Sequence, residues 1–173
     1  IFKKTRDQSV IKKYILPAKY ILFVGNIEPK KNLTRLIKAF NQLKLNSNIL
    51  HKLVIVGKKG WKYKTVFKTV EELKLTNEVV FTDYIPENDL PTIYSMADLF
   101  IFPSLYEGFG IPPLEAMACE TPVLVSNKGA LPEITGGKCI QVDPYNIEHI
   151  AEGIQKMLFN NNLREKSVQE GNE

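Results

Sequence analysis

The stretch "SLYEGFGIPPLEAMACETPV", residues 104–123, sets two acids, Glu107 and Glu115, on either side of a glycine pair and a proline pair. In one continuous helix their separation would be little more than two turns, and both could share a face. Gly108, Gly110, Pro112 and Pro113 forbid that helix, so something other than helix packing sets the spacing. Proline is tolerated in a first turn, which predicts a helix from about Pro113 to Cys119 with Glu107 in the loop before it and Glu115 in its first turn. Gly108 and Gly110 let the main chain come close to a ligand and expose N–H groups beside the positive end of that helix. A phosphate could rest there, while Glu115 could accept hydrogen bonds from a vicinal diol. The plainer alternatives are a helix-dipole contact for Glu115 and a solvated loop acid for Glu107.

Working outward, "YILFVG" (20–25), "KLVIVG" (52–57), "EVVFTD" (78–83), "DLFIFP" (98–103), "TPVLVS" (121–126) and "KCIQVD" (138–143) are short, nearly continuous apolar runs. Such runs predict strands covered on both faces, hence a mostly parallel sheet between helices. Leu33, Leu36, Ile37, Phe40 and Leu43 recur at steps of three and four, one face of a helix; residues 62–73, 89–96 and 147–158 are further candidates. The alternation predicts an α/β, Rossmann-like, doubly wound domain with right-handed crossovers.

Ligands of an open parallel sheet bind outside the carboxyl ends of its strands. Three loops fall there: "GNIEPKKN" (25–32), "GKKGW" (57–61) and "PSLYEGFGIPP" (103–113). The first two bring lysine doublets to the rim that the third supplies with glycines and acids, which points to an anionic ligand, most plausibly phosphate. A nicotinamide-cofactor oxidoreductase is disfavoured, because no Gly-X-Gly-X-X-Gly follows the first strand. Trp61 could line the rim but is expected to close the top of the core, and His51 and His149 are expected to be exposed or structural.

With 173 residues, 44% apolar and 24% charged, the chain reads as one ordinary globular domain. No apolar run approaches the roughly 20 residues that span a bilayer, and no signal-peptide pattern opens the sequence, so a cytoplasmic location is expected. The two cysteines, Cys119 and Cys139, lack the spacing of a zinc site or disulfide framework and read as structural. The net charge of +4 is modest and gives no reason to expect a nucleic-acid partner; it would suit a protein visiting an anionic membrane face, or serve solubility alone. Because the chain begins at Ile1, it is expected to be a piece of a longer protein. Residues 1–18 read as an approach segment, 19–160 as the Rossmann-like domain, and 161–173 as a polar tail that frays or begins a helical segment.

"EGFGIPPLEAMACETPVLVS" resembles the signature of the retaining glycosyltransferases of family 4, in which two glutamates are separated by seven residues, as Glu107 and Glu115 are here. "YILFVGNIEPKKNLTRLIKAF" is similar to the phosphate-binding loop and first helix of that family's C-terminal domain. "LVIVGKKGW" and "VVFTDYIPENDLPTIYSMADLFIFPS" follow in matching order. The resemblance runs from about Tyr20 to Phe159.

That resemblance implies the C-terminal, donor-binding half of a two-domain GT-B enzyme, with a missing N-terminal domain holding a glycan or lipid-linked acceptor. Glu115 would bind the ribose hydroxyls and Glu107 would lie near the donor sugar. Gly108, Phe109 and Gly110 would bring their backbone to the sugar and diphosphate, and Lys31 would neutralise the diphosphate. Tyr84 and Ile85 would contact the base. Many members carry arginine where this chain has Asn26, and Lys30 is the candidate for the second positive charge. No metal is expected, since no Asp-X-Asp stands at a strand end, and the donor is expected to be a UDP- or GDP-linked sugar used in cell-surface polysaccharide synthesis. The isolated chain is expected to be inactive or nearly so in transfer. The alternatives are a related GT-B epimerase or phosphorylase, and a non-catalytic nucleotide-binding module.

Overall fold

The structure is a computed structural model, and it describes residues 2–171. Among these residues six parallel strands, β1 (Tyr20–Val24), β2 (Lys52–Val56), β3 (Val79–Phe81), β4 (Leu99–Phe102), β5 (Val123–Ser126) and β6 (Ile140–Val142), form one sheet in the order β3-β2-β1-β4-β5-β6. Each falls within an apolar run of the sequence, and the two-sided burial expected of such runs is present: Ile21–Phe23, Leu53–Ile55, Leu99–Phe102 and Val123–Val125 are all buried. Pairing is in register from Tyr20 opposite Lys52 to Val24 opposite Val56, and β4 lies on the other side of β1.

Among the described residues eight helices accompany the sheet: α1 (Gln8–Lys13), α2 (Leu33–Asn46), α3 (Lys64–Glu72), α4 (Leu90–Ser95), α5 (Ile111–Ala118), α6 (Leu131–Ile134), α7 (Ile147–Phe159) and α8 (Asn161–Gly171). The chain winds from β1 through α2 and α3 to the β3 edge, crosses by α4 to β4, and winds the other way to β6. Helix α7 then returns to pack on α2. The buried residues of α2, Leu33, Leu36, Ile37, Phe40 and Leu43, are the five whose spacing marked the helix, with Ala39 added.

Helices α1 and α6 lie outside the pattern read from the sequence, and α8 and α5 differ from it in extent. Within the expected approach segment, α1 buries Val10 and Ile11 and packs on α4, with the Asp7 carboxylate accepting the Ser9 N–H at 2.8 Å as its cap. The expected polar tail is helical through Gly171. Helix α8 buries little beyond Ser167, yet it touches both α7 and α5, crossing the end of the sheet. Helix α5 begins at Ile111 rather than Pro113, so both prolines lie in its first turn.

Gly153 of α7 sits where a Cβ would come within 2.6 Å of Val142 Cγ1 and 2.9 Å of Leu124 Cδ1, both on the sheet beneath. Gly153→Ala is therefore expected to destabilise the chain by about 1–2 kcal/mol, overpacking outweighing a gain of up to about 1 kcal/mol in helix propensity. Chemical denaturation checks this, and a stabilised variant would show that α7 can lift off the sheet freely.

Candidate functional site

In a sheet of order 3-2-1-4-5-6 the winding direction reverses between β1 and β4, and the loops leaving those two strands splay apart to form a crevice. The β1 loop contains a single 3₁₀ turn, Pro29–Lys31, started by a proline. It ends at Asn32, held at φ 61° in the left-handed region, a conformation asparagine tolerates. Asn32 does not cap α2 with its side chain. Its Nδ2 instead donates to the carbonyls of Pro103 (3.1 Å) and Pro144 (2.7 Å), tying the β1, β4 and β6 loops together, while Arg35 donates to its Oδ1. The Leu105 N–H donates to the Lys30 carbonyl at 2.8 Å, a further stitch across the crevice.

These constraints bring Lys31 and Glu107 together. Lys31 Nζ lies 2.6 Å from Glu107 Oε1, with the two side chains only 12% and 7% exposed. The same ammonium stands 4.7 Å from the centroid of the Phe102 ring, a cation–π contact. Glu107 is thus not a solvated loop acid. The β5–α6 loop covers it: the Ala130 N–H donates to the Glu107 carbonyl at 3.3 Å, and Gly129, at φ 64°, lies so close that a Cβ there would be 3.1 Å from the Glu107 nitrogen.

Beyond Glu107 the two glycines have different reasons to be glycine. At Gly110, the N-cap of α5, a Cβ would meet Leu131 Cδ2 at 2.5 Å, whereas at Gly108 it would meet nothing within 4 Å. Gly110 therefore lets α6 pack, and Gly108 leaves open space at the rim. Among the described residues the N–H groups of Gly108, Phe109, Gly110 and Ile111 have no protein acceptor, and Phe109 is 64% exposed. Pro112 and Pro113 contribute no N–H, so these four are the free donors at the positive end of α5.

Glu115 is half-buried one turn further on, where the Tyr94 hydroxyl donates to its Oε2 at 2.8 Å. Burial pushes its carboxyl above the ordinary carboxylate range, against the Tyr94 hydrogen bond, and the charge of Glu87 pushes in the same direction as burial. Of the remaining sequence candidates, Asn26 and Lys30 are exposed, and the Lys30 ammonium is 3.5 Å from Glu28 rather than in the Lys31–Glu107 pair. Tyr84 is 59% exposed with Lys58 over its ring at 4.8 Å. Ile85 is buried in the core, so only its backbone can meet a ligand.

Trp61 does not close the core: it is 61% exposed, with the Lys62 ammonium 4.6 Å from its ring centroid. His51 lies 3.4 Å from Asp98 at the far end of the sheet, and His149 Nδ1 accepts the Asp143 N–H at 3.2 Å, so both are structural. Burial pushes the Cys119 thiol up to about 11 and the Cys139 thiol up to about 12, which leaves neither a nucleophile at neutral pH. Among the described residues no group of three or more His, Cys, Asp or Glu side chains converges as a metal centre would require. A cavity of about 810 Å³ opens at the opposite end of the sheet, lined by Lys4, Arg6, Asp98, Glu120 and Arg164 among others, away from the crevice.

Sequence reasoning passed over Asn32, Gly129 and Tyr94. Only Asn32 carried a signal, as a helix-start residue before an apolar period, and that signal pointed to a different role.

Residues 5–173 match the family described as "Glycosyl transferases group 1". The chain is 35% identical over 163 residues to O-antigen chain mannosyltransferase B of Escherichia coli, covering 94% of this chain and 43% of that protein. It is 33% identical over 152 residues to O-antigen chain mannosyltransferase RfbU of Salmonella typhimurium, covering 82% and 41%. Among solved structures it superposes on sucrose-phosphate synthase from Thermosynechococcus elongatus with a TM-score of 0.82 at 29% identity, covering 99% of this chain and 44% of that one. On the C-terminal domain of the group 1 glycosyl transferase LpcC from Francisella tularensis the TM-score is 0.83 at 25% identity, covering 99% and 92%. The chain spans less than half the length of the two curated relatives.

Proposed function

The chain belongs to the glycosyl transferases group 1 family, and we propose that it is the donor-binding half of a retaining, metal-independent GT-B glycosyltransferase of family 4. The observation that carries this reading is the meeting of Lys31 and Glu107 beside four free backbone donors at the β1/β4 crevice. A nucleoside diphosphate sugar is the ligand that uses all of these groups. The diphosphate takes Lys31, the N–H groups of Gly108 to Ile111 and the positive end of α5. The ribose hydroxyls reach Glu115, the base lies toward Tyr84 and the backbone of Ile85, and the sugar lies against Glu107.

Transfer breaks the bond between the anomeric carbon and the diphosphate oxygen, leaving negative charge on the diphosphate and positive charge on the sugar. Lys31 and the α5 amides stabilise the first, fixed in place before reaction, and the Glu107 carboxylate stabilises the second. Lys30, on the exposed side of the same loop, supplies a further cation for the diphosphate, and Asn26 a polar side chain at its mouth. The relatives named as mannosyltransferases make mannose the candidate sugar and a surface polysaccharide the candidate product, with UDP or GDP as the nucleotide. A preceding domain holds the acceptor, so this chain alone does not transfer sugar. Among the described residues no helix is long and apolar enough to cross a membrane; the net charge of +4 supports peripheral contact of the full-length protein with the inner, anionic membrane face.

Amide NMR spectra of the chain titrated with UDP and GDP test the reading, with shifts expected at Lys31, Gly108, Phe109 and Gly110 and contradicted by shifts confined to other strand ends. The roles of Glu107 and Lys31 separate further in Glu107→Gln. This variant keeps or gains affinity for the nucleoside diphosphate, because a negative charge beside it is gone. Sugar transfer by the full-length protein falls about 100-fold. Loss of diphosphate affinity in Glu107→Gln would reverse the assignment.

A further inference from the structure

We propose that Tyr94 is a positioning residue for the nucleotide's ribose: its hydroxyl fixes Glu115 so that the other carboxylate oxygen faces the ribose diol. The inference rests on the reading that Glu115 holds the ribose. Tyr94 lies on α4 and is fully buried, packed edge-on against Phe100 (ring centroids 5.4 Å) and Phe2 (5.9 Å). Its backbone is also held, since the Tyr94 carbonyl accepts the Thr121 hydroxyl at 2.7 Å. The ring therefore has one orientation, and its hydroxyl donates to Glu115 Oε2 at 2.8 Å.

Among the described residues Glu115 makes no other side-chain hydrogen bond, so Oε1 is left as its free acceptor. A glutamate with three rotatable bonds on the second turn of α5 would otherwise lose that aim among several rotamers. A tyrosine that served packing alone would not need its hydroxyl here, and a buried hydroxyl takes a partner whose place it then fixes. Discrimination for ribose thus depends on a residue that does not itself touch the nucleotide.

The charged and titratable groups around the Glu115 carboxyl are Tyr94 from α4, Glu87 from the loop before α4, and Cys119 from the end of α5. Burial raises the carboxyl and Glu87 adds to the rise, while the Tyr94 hydrogen bond opposes it by favouring the ionised form. Removing the hydroxyl therefore moves the titration of Glu115 further up.

The test compares Tyr94→Phe, Glu115→Ala and the unaltered chain in binding UDP and GDP and their 2′,3′-dideoxy forms. The readout is the ratio of the two dissociation constants for each nucleotide, since general loosening of the fold weakens both ligands and cancels in the ratio. The ratio is expected to fall about 3- to 10-fold in Tyr94→Phe and to reach about 1 in Glu115→Ala. A ratio unchanged in Tyr94→Phe but abolished in Glu115→Ala overturns the positioning role and leaves the ribose reading intact. An unchanged ratio in Glu115→Ala overturns both. Where neither nucleotide binds the isolated chain, carbon-detected NMR titration of Glu115 decides: a midpoint higher in Tyr94→Phe than in the unaltered chain is expected, and equal midpoints overturn the proposal.

Discussion

Lys31→Met lowers the stability of the chain by about 3 kcal/mol and weakens nucleoside diphosphate binding about 100-fold. The stability loss follows from Glu107, which at 7% exposed is left as an unpaired carboxylate in a site that water barely enters. Breaking a buried pair on one side costs about 3–5 kcal/mol, and the lower end applies because the pair lies at the mouth of the crevice. For a domain of this size the midpoint of thermal unfolding falls by about 6–12 °C. The affinity loss, about 2.7 kcal/mol, is that of removing one cation held against an anion in a partly desolvated site. The double variant Lys31→Met/Glu107→Gln distinguishes the two effects: stability recovers by at least half, since no buried charge remains, while the affinity loss persists. Thermal unfolding and binding measured on all three proteins check this. Equal midpoints for the unaltered chain and Lys31→Met would mean that the ion pair is too well solvated to organise the site.

Gly57→Ala destabilises the chain by about 4 kcal/mol or more, enough to unfold many domains of this size. Gly57 directly follows β2 at φ 149°, and a Cβ there would lie 2.1 Å from the Gly25 carbonyl oxygen and 2.6 Å from its carbon. Both are backbone atoms of the neighbouring strand end and cannot swing aside. The Gly25 N–H donates to the Val56 carbonyl at 2.8 Å, and the Gly57 N–H donates to the Asp83 carbonyl at 3.0 Å, so relief of the clash breaks the pairing of β1, β2 and β3 at their shared rim. Gly108→Ala is the control: with nothing within 4 Å of its Cβ, it changes stability by no more than about 0.5 kcal/mol. Denaturation midpoints for the two variants should therefore lie far apart, and similar midpoints would mean that the rim is not held at the close approach seen between Gly25 and Gly57.

The sheet was legible because burial on both faces leaves continuous apolar runs, a pattern that survives without knowledge of neighbours. The principal helices were legible where one face is buried, as the step-three and step-four spacing of Leu33 to Leu43 shows. Helix α1 escaped notice because its six residues bury only Val10 and Ile11, and α8 was left open between fraying and a helix because "NNLREKSVQEG" carries no apolar stripe; packing against α4, and against α5 and α7, makes up the difference. At the site, the loops read as lying at one rim do bring Lys31 and Glu107 together, whereas Glu115 stands past the first turn of α5, because that helix starts two residues earlier than the prolines suggested. Their partners were not legible. Tyr94 meets Glu115 across 21 residues of sequence and Lys31 meets Glu107 across 76, distances over which no local spacing constrains a contact. Trp61 shows the converse failure: a large aromatic is assigned to the core by its type, yet here it stands in solvent among lysines.

Isothermal titration calorimetry of the chain with UDP and with GDP, repeated on Lys31→Ala and Glu115→Ala, tests the donor-binding role most directly. Selective binding of one nucleotide, weakened by both substitutions while both variants remain folded, is the predicted result. Binding that neither substitution affects would place the nucleotide away from the β1/β4 crevice and contradict the account.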